Sequence, residues 1–429
     1  RLLQQMRGVP APGIAWERDL LPLRLAAFDP GELEALCQQG EVVWVGSGGK
    51  DPRRARVRFF FRGEGHLFLT PPGEEPGEDE EGLSPAAAEL LEFLKAEGAS
   101  FFADLEVGTG LARDEVSEAL VELVMAGLVT NDSLEALRGV LAWSAEAGGP
   151  ERRPLSSLEA ELAAWRREQE PSRPRTRPSR GRLHTARQAV ARRVPEAGMP
   201  RWPGRWGLVH RIGVWGKDVP FEERIARQAR QLLQCYGIVT RQTLEGDPEG
   251  GWNWRALYAQ FQLMEMRGEV RRGYFVQGLP GIQFALPEAV ERLREWTRPS
   301  EAEELVVLNA TDPANLFGPS RDADTGQEVQ PETEKDPARF SRIPSNYAVL
   351  LRGRPVLLLE IGAERVTVLP DLPVATLQRA LRVAMEHAGR SLRRLTLSQW
   401  NGEAILDSSA APVLEGLGFR REALVYIWD

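Results

Sequence analysis

The sequence has little of the chemistry that disulfide-bonded or metal-binding proteins depend on. Only two cysteines occur among its 429 residues, Cys37 and Cys235, and they lie far apart. The four histidines stand singly, and no Cys-x-x-Cys or His-Glu-x-x-His motif is present. These absences argue against a disulfide framework and a protein-built metal site, and they favour a reducing, cytoplasmic location.

A hydrophobic run of about 18 residues, the length needed to cross a bilayer, is also missing. The composition, 42% hydrophobic and 27% charged, is typical of a globular protein, and the length predicts several domains. The chain begins at Arg1, and nothing at its start is typical of a secretion signal. We therefore expect no membrane association, and we expect a region of a larger protein.

A nucleotide-hydrolysing site is not found either. The stretch from Gly46 to Lys50 comes nearest to a phosphate-binding loop, but Trp44 stands where the first glycine is required. Asp51 stands where a Ser or Thr would bind Mg²⁺. These glycines are better explained as a turn between two strands.

Charge is distributed unevenly along the chain, although its sum is -8. Residues 74–81 hold six acids, whereas residues 166–211 hold thirteen arginines, three glutamates and no aspartate. Arg175, Arg177 and Arg180 in this segment are separated by Pro, Ser and Thr, so an extended basic chain could track DNA phosphates. The alternative is a solvated linker.

One pattern recurs along the chain. Residues 222–235 predict an amphipathic helix with one apolar face. Residues near 240 predict a short second helix, and residues 254–267 predict a third helix. A hairpin over 269–286 follows, and three helices with a hairpin define a winged-helix module. About 140 residues earlier a second copy ends in a reduced wing. A partial third copy near the start has a long wing, with 42–45 paired to 57–61 and a further strand over 66–69.

The C-terminal part has a different pattern. Residues 313–344 predict a loop, and several strands around a helix over 374–387 follow it. We expect an α+β fold in which tandem winged-helix modules precede a β-rich, barrel-like end domain. The predicted boundaries are 1–82, 83–148 and 211–299 for the modules, 149–210 for a basic connector and 300–429 for the end domain.

Candidate DNA contacts cluster in the module at 211–299, because the third helix of such a module commonly enters the major groove and the wing touches the backbone. Cations and aromatic residues alternate at these two places. The candidates are Trp252, Trp254, Arg255, Tyr258, Arg271, Arg272 and Tyr274. Arg271 and Arg272 suit phosphates, and either tryptophan could stack on an unpaired base. The alternative, buried tryptophans and solvated arginines, is equally compatible with the sequence.

No catalytic group can be assigned from motifs. His387 ends a predicted helix, where a helix-dipole or surface role is expected. The triplet from Gln260 to Gln262 resembles a motif of winged-helix DNA glycosylases, but Phe261 lies on the predicted buried stripe. We reject that match.

Six strings resemble the C-terminal half of the bacterial large helicase-related family, Lhr. They are GEVVWVG at 40–46, GLVTND at 127–132, YGIVTR at 236–241, RRGYFVQG at 271–278, QFALP at 283–287 and ATDPAN at 310–315. The resemblance implies a non-motor region of an ATP-dependent, 3′-to-5′ DNA repair helicase. The partners it implies are DNA, the helicase core of the same polypeptide, and further copies of the chain in a tetramer.

The same resemblance implies that ATP and Mg²⁺ belong to the motor core, so no cofactor is expected in this chain. The DNA partner is expected to be single-stranded DNA or a repair intermediate. Two alternative functions stay open. A glycosylase that excises uracil or an alkylated base would need a carboxylate, and Asp312 and Asp429 are the candidates. A transcription regulator would need an effector site, which the sequence does not indicate.

Overall fold

The computed structural model describes most of the chain in ten stretches. They are residues 1–48, 51–70, 82–143, 202–245, 251–277, 279–297, 304–317, 342–369, 372–389 and 394–428. The chain divides into two compact units. One contains Asp29–His66 and Thr70–Asp218, and the other contains Arg1–Phe28, Leu67–Leu69 and Val219–Asp429. No described helix is long and apolar enough to cross a membrane.

The first unit contains two sets of helices and strands. Its helices are Pro30–Gln38, Pro85–Glu97, Phe102–Thr109, Arg113–Met125 and Leu134–Leu141. Strands Val42–Ser47 and Arg56–Phe61 pair antiparallel, with Val42 opposite Phe61. This confirms the predicted long wing. The predicted strand over 66–69 is wrong, because Gly65–Phe68 forms a helical turn.

The second module of this unit has a wing strand from a distant part of the sequence. Strand Arg205–Leu208 lies between Ser100–Phe101 and Val129–Asn131 and is antiparallel to both. The basic segment that holds Arg175, Arg177 and Arg180 lies outside the described residues. Strand Arg205–Leu208 completes the wing that the sequence predicted to be reduced, and it follows Val129–Asn131 by more than 60 positions.

The other unit contains the fullest winged-helix module. Helix Phe221–Tyr236 is followed by strand Ile238–Val239, helix Arg241–Glu245 and helix Trp254–Met266. Strands Arg271–Gly273 and Gln283–Ala285 form the wing, and helix Pro287–Trp296 follows. Gln283–Ala285 is the central strand, antiparallel to both neighbours. The core of the module includes Leu257, Phe261 and Met264 of the third helix and Phe284 of the central strand. The predicted module is confirmed.

The end domain is built on a six-stranded sheet with helix Val374–Gly389 packed against it. Its strands are, in spatial order, Leu305–Asn309, Asn346–Leu351, Arg354–Glu360, Arg365–Val368, Gln399–Trp400 and Glu403–Ala404. A smaller sheet holds Leu395–Leu397, Val425–Trp428 and Arg420–Glu422. The α+β fold is confirmed, but the described strands form an open sheet with two edges rather than a barrel.

The N-terminal stretch of the same unit folds into four short helical segments. They are Leu2–Met6, Gly13–Ala15, the π-helical turn Trp16–Leu20, and Leu21–Arg24. Arg18 donates to the carbonyl oxygen of Pro344, and Arg24 pairs with Asp312. These bonds attach the first 28 residues to the end domain, about 290 to 330 positions later in the sequence.

Candidate nucleic-acid interface

The third helix of the fullest module, Trp254–Met266, begins at a well-defined cap. The Asn253 side chain accepts a hydrogen bond from the amide of Ala256 at 3.0 Å, which satisfies one of the free N–H groups at the helix start. Leu257, Phe261 and Met264 are buried. The opposite face exposes Arg255, Ala259, Gln262, Leu263 and Met266. That face carries one cation, one amide and no carboxylate, so it can approach a polyanion.

The three aromatic candidates pack on the module's own core. Trp254 lies 6.2 Å from Phe261 between ring centroids, and Tyr258 lies edge-on to Phe284 at 5.5 Å. Trp252 also packs against this cluster, and all three are half-buried. Their packing fixes the start of the helix, which leaves Arg255 as the exposed cation of this segment.

Arg255 differs from the wing arginines in its electrostatic surroundings. Arg271 pairs with Glu291 at 2.9 Å, and Arg272 pairs with Glu265 at 3.2 Å. Hydrogen bonding from Arg271, with the charge of Arg294, lowers the pKa of Glu291. Arg255 has no carboxylate partner within the described stretches. A phosphate would therefore bind Arg255 directly, whereas at Arg271 and Arg272 it would replace exposed ion pairs, which are weak.

The tip of the wing is held by one buried amide. The Gln283 side chain accepts hydrogen bonds from the amides of Phe275 and Val276 at 2.8 and 2.9 Å, and it donates to the Val276 carbonyl at 2.9 Å. Tyr274 in this loop is 76% exposed. The wing therefore presents an aromatic ring to solvent from a backbone that is fixed by internal hydrogen bonds.

Two potential DNA contacts were not predicted from the sequence. Arg241 begins the short second helix, is exposed and has no carboxylate partner in the part of the chain that the structure describes. Gln262 lies in the middle of the exposed face of the third helix, and glutamine can form paired hydrogen bonds with adenine. The signal for Arg241 is its place at the start of the short helix that the sequence predicts near residue 240.

The third helix of the other module, Arg113–Met125, has the opposite character. Eight of its residues are buried, and it carries Asp114, Glu115, Glu118 and Glu122. Trp202 donates to Ser117 at 3.0 Å on one side. On another side a Cβ atom on Gly46 would lie 2.9 Å from Val124, so the wing strand Val42–Ser47 packs closely there. Burial and negative charge make this helix unsuitable for a DNA groove.

The carboxylate candidates fall in different situations. Asp312 is 1% exposed, and its two oxygens accept from Arg24 at 2.7 and 2.8 Å and from the amide of Ala314 at 2.7 Å. Burial and three internal hydrogen bonds engage both oxygens of this carboxylate, an arrangement typical of a structural residue. Asp429 lies outside the described residues.

A buried polar cluster surrounds Asp19 in the same unit. Asp19 accepts hydrogen bonds from Asn309 at 3.0 Å and Tyr347 at 3.3 Å, and its carboxylate lies 3.1 Å from His387 Nε2. Arg18 also pairs with it at 2.8 Å. His387 is therefore an internal partner of Asp19, not the surface or helix-dipole residue that its sequence position suggests. Among the described residues, no group of three or more His, Cys, Asp or Glu side chains is arranged to hold a metal ion.

The fold and the interface define a class of protein, one that contains tandem winged-helix modules. One of these modules presents a cationic third helix and wing. Residues 218–305 match the fourth winged-helix domain of the large helicase-related protein, and residues 1–62 match the third. The chain belongs to this family, Lhr, and corresponds to the C-terminal part of its curated relatives.

Two curated relatives extend the match beyond these domains. A protein of Mycolicibacterium smegmatis named "Lhr helicase/ probable uracil glycosylase" is 31% identical over 417 residues, which cover 95% of this chain and 24% of that protein. The Escherichia coli "Lhr helicase/uracil glycosylase" is 28% identical over 330 residues, which cover 74% of this chain and 19% of that protein. The chain thus spans no more than about a quarter of the length of these relatives.

Proposed function

We propose that this chain is a non-motor, DNA-binding region of a DNA repair helicase, and that the module Phe221–Trp296 makes the contact. One observation carries the proposal: Arg255 is exposed at the start of the third helix and pairs with no carboxylate of the residues that the structure describes. Arg271 and Arg272 lie on the wing of the same module. The third helix of the other module is excluded by its acidic exposed side chains.

DNA binding can be tested by fluorescence anisotropy with labelled oligonucleotides at several salt concentrations. Arg255→Gln should weaken binding and reduce the salt dependence by about one phosphate contact. The double change Arg271→Ala/Arg272→Ala should act in the same direction. Because Arg113 is an exposed arginine at the start of the acidic third helix Arg113–Met125, Arg113→Gln is the control and should leave affinity unchanged. Equal effects of Arg255→Gln and Arg113→Gln would contradict the proposal.

Single-stranded DNA or a repair intermediate is the proposed ligand. In the same assay, single-stranded, forked and fully paired oligonucleotides of one length should be compared. We expect the two DNAs with unpaired bases to bind more tightly, because exposed Tyr274 on the wing can stack on a base that is not paired. Tightest binding to the fully paired DNA would argue against this preference.

We also propose that the chain forms homo-oligomers, as a tetramer, and works in the cytoplasm beside the helicase core of the same polypeptide. Neither Cys37 nor Cys235 forms a disulfide, which is compatible with a reducing compartment. Size-exclusion chromatography with light scattering tests the oligomer directly. A strict monomer at micromolar concentration would overturn it. ATP and Mg²⁺ are assigned to the motor core, and no cofactor is proposed here.

A base-excising glycosylase is the second candidate function, because both curated relatives carry uracil glycosylase in their names. Oligonucleotides with a single uracil or alkylated base, treated with alkali after incubation, should break at the abasic site. Asp429→Asn should then abolish cleavage, whereas Asp407→Asn, a change of an exposed aspartate, should not. Absence of cleavage on both substrates would remove this candidate.

A further inference from the structure

A cleft of about 320 Å³ opens in the unit formed by Asp29–His66 and Thr70–Asp218. None of its lining residues belongs to the third helix of either module. Its polar lining comes from Arg62, Thr130, Asn131, Asp132, Arg205 and Arg211. Its volume is at the lower end of the range for small-molecule sites, large enough for a nucleotide.

The cleft is positively charged in a chain whose net charge is -8. Three guanidinium groups and one carboxylate line it, so the lining carries a net charge of +2. Asp132 is engaged by Arg205 at 3.0 Å. Arg62 and Arg211 form no ion pair with any carboxylate that the structure describes. Two cations therefore face the cleft without a counter-charge from the described protein.

Backbone carbonyl groups hold these two arginines in place. Arg62 Nε donates to the Gly40 carbonyl at 2.7 Å, and Arg211 donates to the Lys95 carbonyl. A Cβ atom on Gly213 would lie 3.2 Å from Arg62, so this glycine makes room for the guanidinium. Because a guanidinium has five N–H groups, each arginine keeps donors available after its carbonyl bond.

Asn131 supplies a second, independent indication of a ligand. Its side chain is 4% exposed, and its oxygen accepts from the Ser133 amide at 2.7 Å. Its amide nitrogen has no hydrogen-bond partner among the described residues, although it is buried. Buried donors are almost always satisfied in folded proteins. An acceptor brought into the cleft by a ligand would supply the missing bond.

We propose that this cleft binds a phosphate group, with Arg62, Arg211 and Asn131 as donors. The planar donor fork of arginine matches phosphate oxygens, and the one carboxylate nearby is already paired. The phosphate comes from a nucleotide or from the backbone of a nucleic acid strand. This site shares no residue with the DNA interface at Arg255, and the proposal does not depend on that interface.

Binding can be measured by calorimetry and by NMR of arginine side chains with thymidine monophosphate as the probe. Thymidine, which lacks the phosphate, is the paired ligand control. We expect saturable binding of the monophosphate and none of the nucleoside. Arg211→Gln and Arg62→Gln should each weaken it about tenfold, the loss expected for one charge-assisted hydrogen bond.

Two controls make the test specific. Arg113→Gln removes an arginine of the same unit outside the cleft, and Arg255→Gln disables the proposed DNA interface; neither should change monophosphate binding. An oligothymidylate without terminal phosphate separates the sources. If it displaces the monophosphate, internal backbone phosphates bind, and if it does not, a terminal phosphate is required. The proposal would be overturned if neither the monophosphate nor the oligothymidylate bound saturably. It would also be overturned if Arg113→Gln weakened binding as much as Arg62→Gln and Arg211→Gln do.

Discussion

Arg24 and Asp312 form a bidentate ion pair in which both guanidinium NH₂ groups meet the two carboxylate oxygens, at 2.8 and 2.7 Å. Arg24 ends the last helical segment of the N-terminal stretch, and Asp312 follows the first strand of the end domain. Burial alone would lower the pKa of Arg24, but the hydrogen bond and charge of Asp312 outweigh it and raise that pKa. The pair thus joins two segments almost 290 residues apart.

Asp312→Ala should lower the free energy of unfolding by about 3 kcal/mol, because it leaves a largely buried guanidinium without its partner. Urea unfolding followed by circular dichroism measures this loss. Arg24→Met and the double change Arg24→Met/Asp312→Ala complete a cycle, and the double variant should be less destabilised than the sum of the single variants. A loss well below 1 kcal/mol for Asp312→Ala would show that the pair is not structural.

Local signals in the sequence were sufficient for the first three helices and the hairpin of the module Phe221–Trp296. The helix predicted over 222–235 occurs as Phe221–Tyr236, because its apolar stripe at helical spacing is a property of consecutive residues. The hairpin of the same module was predicted for the same reason. Arg255, Arg271 and Arg272 follow from these elements, so these three cations of the candidate interface could be located from the sequence alone, whereas Arg241 was not.

Non-local pairing was not predictable in this way. Strand Arg205–Leu208 completes a wing whose other strands lie at Ser100–Phe101 and Val129–Asn131. The turn at Gly65–Phe68 is fixed by backbone bonds to Val214 and Trp215 at 3.1 and 2.9 Å. A short apolar segment by itself does not distinguish such a turn from a strand.

The contact of the His387 side chain was not predictable either, because its partner is distant in the sequence. Periodicity correctly places it in a helix, but its partner Asp19 lies 368 residues away. The cluster around Asp19 is visible only when the N-terminal stretch has folded onto the end domain. Gln283 is similar, because its four hydrogen bonds to the wing tip depend on the loop geometry and not on residue spacing.

The pKa of Glu291 should report on Arg271. In the free protein we expect it below the ordinary value of a glutamate, because Arg271 hydrogen-bonds to it. A depressed pKa stabilises the fold at pH values above the unfolded-state pKa, and this contribution disappears as the pH falls through the folded-state pKa. Carbon-detected NMR titration of the side-chain carboxyl measures it.

Two comparisons make the titration decisive. Arg271→Ala should raise the pKa of Glu291 towards its ordinary value, while Arg267→Ala, a change of another exposed arginine of the module, should not. Binding of DNA that breaks the ion pair between Arg271 and Glu291 should also raise the pKa of Glu291. An unchanged pKa in Arg271→Ala would mean that this ion pair does not persist in solution.

Cys235 should react slowly with thiol reagents in the folded protein. Burial raises the pKa of its thiol to about 12, and the charge of Arg24 opposes this shift. Because the thiolate is the reactive form, reaction with Ellman's reagent should remain slow up to pH 9 and become rapid in urea. Arg24→Met should slow it further. Reaction of Cys235 in the native protein at pH 8 with the rate of a free thiol would contradict the assigned environment.

Gly8→Ala should destabilise the protein more than an ordinary change at a left-handed glycine. Gly8 has a φ of 76°, and a Cβ atom there would lie 2.1 Å from the ring of Phe68, which is fully buried. Strain from the backbone costs about 1–2 kcal/mol, and displacing a packed ring adds about 1–3 kcal/mol. Gly353→Ala is the matched control, since its φ is 75° and nothing lies within 4 Å of the added atom. Urea unfolding of both variants separates the two effects. We expect a clearly larger loss of unfolding free energy for Gly8→Ala than for Gly353→Ala. Equal losses would mean that the Phe68 ring can be displaced without destabilising the protein.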